Sequence, residues 1–382
     1  MTHRERILTA LRRREPDRTP LDLGSTLAST MTEKAHARMR EHLGLPAGLP
    51  PIVFSKRSCT VVPDEAILER FQVDCRPLLL GSAEERPDRE LSADSFLDEC
   101  GVTWSRPVGG HFISAGGPFY KYDEPSPADL DSVEWPDPAD QGRFRGLGER
   151  ARLLHETTDF AVVLNLGVGP VHQCQFLRGY GEWLEDLVAR PVFAEALLDR
   201  ATDFWGSVSD RALTEAGEFV DLVWYGDDVG TQRGCLMRPD TYRRVIKPRH
   251  KRMAEVARRY GKPIVFHSCG SVYPLIPDFI EIGIDALNPV QVSAARMDTR
   301  QLKREFGRDL TFWGGVDTQL VLPWGTPEQV RDEVRRRIGD LAEGGGYVLC
   351  AVHNIQAEVP PANVQAMYEE ALAYGRAAAP AS

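Results

Sequence analysis

A chain of 382 residues, 42% of them hydrophobic, can bury a substantial core, and its length suits two or three domains or one large barrel with insertions. Its formal charge is −10, and the basic runs Arg12–Arg14 and Arg335–Arg337 are short and lie on helical patterns, so no nucleic-acid partner is expected. No apolar run reaches the ~18 residues that cross a membrane, and the opening "MTHRERILTALRRREPDRTP" has no apolar signal-peptide core, so the expectation is a cytoplasmic protein.

That opening reads as a helix: Thr2 and Glu5 have capping-box spacing, Ile7, Leu8 and Leu11 form an apolar stripe, and Pro16 ends it. β-rich runs then recur: 20–24, 73–81, 161–167, 222–228, 263–269, 285–290, 310–317 and 346–352. Helical patterns separate most of them, among them 189–217 and 326–346, the latter with a Thr326 cap and Pro327 at its first position, while 360–376 closes the chain. Strand-helix alternation implies parallel strands with right-handed crossovers, and about eight such strands predict a TIM (β/α)8 barrel. Residues 96–127, between the second and third strands, break the pattern with alternating apolar residues, Gly pairs and a Pro-rich exit. They predict an antiparallel β insertion, covering about 96–140 with the acidic loop that follows. The reading is one domain, 1–382.

Barrel enzymes gather reactive groups at the C-terminal ends of their strands. The fifth predicted strand ends in "HSCG", with His267 and Cys269 two apart, and Cys350 lies in the eighth, in "GGGYVLCAVHNIQ". Imidazole and thiolate suit Zn²⁺, and three protein ligands would leave a fourth position open for a substrate atom. The alternative is that the seven scattered cysteines, an odd count without a disulfide pattern, are buried small hydrophobes. Asp227 and Asp228 end the fourth strand as candidate acid-base groups, one of which would otherwise cap a helix. His172, after the third strand, either joins the catalytic groups or packs in a loop. Candidate substrate-binding residues are His353, Gln356, Asn288, Asp317 and Tyr225; "GGG" (344–346) lies on the opposite face as a turn.

"HSCGSVYPLIPDFIEIGIDALNPVQ", "LKREFGRDLTFWGGVDTQLVLPWGTPEQV", "GGGYVLCAVHNIQAEVPPANVQAMYEE" and the opening "RERILTALRRREPDRTPLD" together resemble the uroporphyrinogen decarboxylase-like superfamily over nearly the whole chain. The resemblance implies a TIM-type barrel and two chemistries. The decarboxylases use no metal and hold a polycarboxylate with an "RQAGR" loop and a "FSDI" aspartate. Here the corresponding stretches are "LDLGSTLASTMTEKAHARM" and "VDCRPLLLG", and Gln175 or Phe176 replaces the family's tyrosine. The other branch comprises zinc-dependent methyltransferases that work with corrinoid proteins, including those of O-demethylation, whose H-x-C and later Cys resemble His267, Cys269 and Cys350. This branch implies Zn²⁺ as cofactor and a thiol or folate as methyl acceptor. Of a base-off cobalamin segment, D-x-H-x-x-G, only His267 and Gly270 are matched, with Val265 at the Asp position, so a corrinoid would arrive on a separate partner protein. A metal-assisted decarboxylase or lyase of a small carboxylated substrate and a non-catalytic binding protein stay open as alternatives. A homodimer is the assembly the decarboxylase branch would bring.

Overall fold

A computed structural model describes residues 1–46 and 49–377; positions 47, 48 and 378–382 of the expected 1–382 domain lie outside the described residues. Seven strands form one parallel sheet, in spatial order Tyr347–Val348, Thr311–Trp313, Ala286–Asn288, Ile264–His267, Leu222–Gly226, Ala161–Val168 and Cys75–Leu79. Residues 20–22 join its two edges. The Leu349 N–H donates to Pro20 (2.9 Å) and the Asp22 N–H to Leu349 (3.0 Å), while Leu21 accepts from Asp74 (2.9 Å). The hydrogen-bonded ring is thereby continuous, as in a TIM-like barrel, with its first strand reduced to a single parallel bridge.

Strand alternation divides the core in two. Cys75, Ala161, Val163, Leu222, Trp224, Val265, Ala286, Trp313, Val348 and Cys350 fill the barrel interior, whereas Val223, Tyr225, Ile264 and Phe266 face the helical layer. The helix His3–Leu11, capped by Thr2 and Glu5 through a capping box, sends Ile7, Ala10 and Leu11 into the interior cluster. It ends well before Pro16, and Arg13 has a left-handed φ of 56° where the chain turns back. Arg6 and Arg18 both bond the buried Asp74 carboxylate (2.6 and 2.8 Å) at the start of the Cys75–Leu79 strand. This plug closes the N-terminal end of the barrel and leaves the C-terminal ends of the strands as the mouth.

Between the strands Cys75–Leu79 and Ala161–Val168, a four-stranded antiparallel sheet runs Arg89–Ser92, Ser95–Leu97, Thr103–Ser105 and Ile113–Gly116. It begins before residue 96, and turns and short 3₁₀ segments occupy 117–140. It packs on the helix Pro170–Arg178, with Trp104 edge-on to Phe176 at 4.8 Å. No described helix is long and apolar enough to cross a membrane.

Candidate metal centre and active site

The strand Ile264–His267 delivers His267 to the mouth, and the turn after it delivers Cys269. That turn needs glycine. Gly270 has φ +93°, and a Cβ there would lie 2.6 Å from Gly230 and Thr231 in the loop after the neighbouring strand. The two loops interlock further, since Ser268 Oγ accepts from the Val229 N–H (3.0 Å) and Asp228 Oδ1 from the Cys269 N–H (2.7 Å).

Three side chains converge there. Ligand atoms of His267, Cys269 and His353 all lie within 4.8 Å of one another. Cys269 Sγ is 3.4 Å from His267 Nε2, and the His267 and His353 rings meet edge to face at 5.6 Å. The expected set contained Cys350 in place of His353. Cys350 is outside the converging group and lies fully buried among the interior apolar residues. Its strand is still inside the barrel at 350, and the chain reaches the mouth three residues later, at His353.

The donor set fits a soft divalent cation. His267 Nδ1 lies 2.8 Å from Asn288 Oδ1, which assigns the ring proton to Nδ1 and turns Nε2 toward Cys269. Asn288 is thus an orienting residue, itself buried, and its Oδ1 also accepts from Trp224 Nε1 (3.4 Å). Burial lowers the His267 pKa, and burial together with His267 lowers that of His353 to about 4, so both imidazoles are neutral ligands near pH 7. Burial, with Asp228 beside it, pushes the Cys269 thiol well above its usual range. A thiol held protonated in this way becomes a thiolate only when a cation offsets the cost.

Beside this group runs a polar chain. Asp227 is fully buried and accepts from the Val171 and His172 N–H groups (2.9 and 2.8 Å) at the start of helix Pro170–Arg178. Its Oδ2 also meets His250 Nε2 (3.0 Å), and His250 Nδ1 meets the Tyr242 hydroxyl (3.2 Å). The approach is so close that a Cβ on Gly169 would lie 2.3 Å from this carboxylate. Asp227 is therefore the helix clamp, and Asp228 is the aspartate that faces the mouth. His172 lies between them, Nδ1 at 3.3 Å from Asp227 and Nε2 at 3.6 Å from Asp228. Burial opposes its cation, but the two flanking carboxylates outweigh burial and hold its pKa up at about 10. His172 is an imidazolium at neutral pH.

The uroporphyrinogen decarboxylase (URO-D) family model matches residues 108–374, well over half the chain, including every residue of this centre. The chain belongs to the uroporphyrinogen decarboxylase family. It is 25% identical over 260 residues, 68% of its length, to the methylated-thiol–coenzyme M methyltransferase of Methanosarcina mazei, and the match spans 65% of that protein. It is 21% identical over 380 residues to a uroporphyrinogen decarboxylase of Alkalilimnicola ehrlichii, covering 96% of this chain and 92% of that one. Among solved structures, a methyltransferase from Methanosarcina mazei superposes with a TM-score of 0.66 at 21% identity, over 98% of this chain and 99% of that chain, a likeness of fold.

The other expected substrate residues divide. Gln356 is at the mouth, where its Oε1 meets His111 Nε2 of the antiparallel insertion at 2.8 Å. Asp317 is not available in the same way, because its Oδ1 accepts from the Gln319 and Leu320 N–H groups (2.6 and 3.2 Å) and caps its own loop. Tyr225 is absent from the mouth. It faces the helical layer, 5.2 Å from Phe266, because its neighbour Trp224 takes the inward position on the strand. The sequence carries no signal for His250, Arg57 or His111, which reach the site from a helix or from loops, and it marks Phe176 only as one of two positions that stand where the family has a tyrosine.

Proposed function

We propose that this protein is a zinc-dependent methyltransferase of the uroporphyrinogen decarboxylase family, with His267, Cys269 and His353 as the metal ligands. The observation that carries the reading is the convergence of two neutral imidazoles and one thiol within 4.8 Å at the open end of the barrel. The similarity to a methylated-thiol–coenzyme M methyltransferase supports it. Zinc bound there would act as a Lewis acid that keeps an acceptor thiol deprotonated at neutral pH. Three protein ligands leave the fourth position for that thiol.

The chain's own residues supply the rest. Asn288 fixes the His267 tautomer, and Asp228 holds the Cys269 backbone. His172, protonated between Asp227 and Asp228, offers a positive charge beside the reacting atoms and a proton at Nε2 for a departing heteroatom. A corrinoid protein as methyl carrier, a single barrel domain and a cytoplasmic location belong to the same reading. The metal-assisted decarboxylase is the weaker alternative, and methyl transfer to a thiol would then be undetectable.

Purified protein should hold about one zinc per chain and move a methyl group between a methylated thiol or methyl-corrinoid and an acceptor thiol. His353→Ala should lose most of the metal while Cys350→Ala keeps it; the reverse pattern would return the third-ligand role to Cys350. Asn288→Ala should weaken zinc by about 10- to 100-fold, as loss of an orienting partner does elsewhere. A zinc affinity unchanged in that variant would remove Asn288 from the site.

A further inference from the structure

The insertion sheet and its neighbouring hairpin add an aromatic and cationic wall to the mouth. Arg57 lies in the turn between the strands Val53–Ser55 and Thr60–Val61, its guanidinium carbon 4.4 Å from the Trp104 ring centroid and 5.4 Å from that of Phe176. Phe176 in turn stacks on His172, with centroids 5.8 Å apart and planes 22° apart. From the other direction, the Phe112 N–H donates to the Arg57 carbonyl (3.0 Å), and the adjacent His111 meets Gln356 in the His353 loop. Arg57 is thereby tied to both rims of the candidate metal centre.

Its guanidinium is poorly paired. Among the described residues its one ion-pair partner is Asp98, at 3.6 Å, beyond a normal hydrogen bond. That carboxylate is already committed to the Cys100 and Val102 N–H groups and to Trp104 Nε1, at 2.8 to 2.9 Å. Asp88 is near enough to temper the local charge without bonding to Arg57. The contrast is with Arg178, which is buried and saturated by Asp186 and two backbone carbonyls. An arginine stacked on aromatics keeps its forked N–H donors for a planar or tetrahedral oxyanion. About a third of the Arg57 side chain remains exposed, so that oxyanion can enter from solution.

We propose that Arg57, backed by Trp104 and Phe176, binds an anionic group of the substrate, at the end remote from the reacting atom. The inference rests on the reading of the His267–Cys269–His353 mouth as the reactive centre. It narrows the methyl donor or acceptor to a small molecule carrying a carboxylate, sulfonate or phosphate, and it sets aside neutral methoxyaromatics and methylamines. The feature is separate from the absent "RQAGR" loop, because Arg57 comes from a different segment, the turn between the strands Val53–Ser55 and Thr60–Val61.

The test uses the full chain, zinc-loaded and zinc-free, titrated with mercaptopropionate, propanethiol, propionate, ethanesulfonate and inorganic phosphate. The zinc-loaded wild type should bind mercaptopropionate more tightly than propanethiol. Arg57→Gln should weaken the charged probes by about 10- to 100-fold, as expected for hydrogen bonds to a charged group, and leave propanethiol within about twofold. Arg57→Lys, which keeps the charge, should recover part of the loss, and an unchanged thermal transition would exclude misfolding. Equal wild-type affinity for the two thiols, or equal loss of both in Arg57→Gln, overturns the proposal. If the wild type holds neither zinc nor thiol, the metal reading fails on its own, and propionate, ethanesulfonate and phosphate binding to the zinc-free chain decides Arg57. Binding that Arg57→Gln abolishes supports the subsite, absence of binding overturns it, and the ranking of the three names the anion.

Discussion

Cys269→Ser is expected to lower zinc affinity by at least about 100-fold and to remove most of the pH dependence of binding. The sign follows from the three candidate ligands. His267 and His353 have lowered pKa values, the latter about 4, so near neutral pH they carry no proton for a metal to displace. Cys269 is pushed the other way and is a neutral thiol over the same range. Binding should therefore expel one proton, and wild-type affinity should rise about tenfold per pH unit between about pH 6 and 8. Cys350, whose thiol burial also raises, would add a second proton and double that slope if it were a ligand. Chelator competition at three pH values measures the slope directly. A flat wild-type profile would exclude thiolate ligation altogether.

Much of the barrel was legible because its strands are short β-rich runs separated by helical patterns. Six of the seven sheet strands fall within an expected run and the seventh, Ala161–Val168, overruns its run by one residue, while residues 20–22 form the bridge that completes the ring. Which face each residue takes was less legible. "LVWYG" is apolar throughout because the strand Leu222–Gly226 is buried on both sides, so it has no polar alternation to distinguish Trp224, inside, from Tyr225, outside. The same difficulty applies to "LCAVH". Residue type favours Cys350 as the ligand, whereas the position at which the chain leaves the sheet favours His353. Asp227 was ambiguous between acid and helix cap, and only tertiary structure resolves it, since its partners Val171, His172 and His250 lie on other elements.

Asp227→Ala is expected to cost about 3–5 kcal/mol of stability, the usual result of removing one partner from a buried charged network. The substitution leaves the first N–H groups of helix Pro170–Arg178 without an acceptor and removes a carboxylate from both His172 and His250. The loss should depend on pH in a defined direction. The folded His172 pKa, about 10, lies above the ~6.5 of an unperturbed imidazole, so its ion pairs contribute fully below about pH 6.5 and fade as pH rises toward 10. The difference between Asp227→Ala and wild type in urea unfolding should therefore shrink from pH 6 to pH 10 by an amount that follows His172 titration. Asp227→Asn keeps one acceptor oxygen and should retain part of the stability while still lowering the His172 pKa, which imidazole NMR reads separately. A stability difference that stays constant with pH would show that Asp227 acts on the helix end alone. In that case Asp228 must be the carboxylate that keeps His172 protonated.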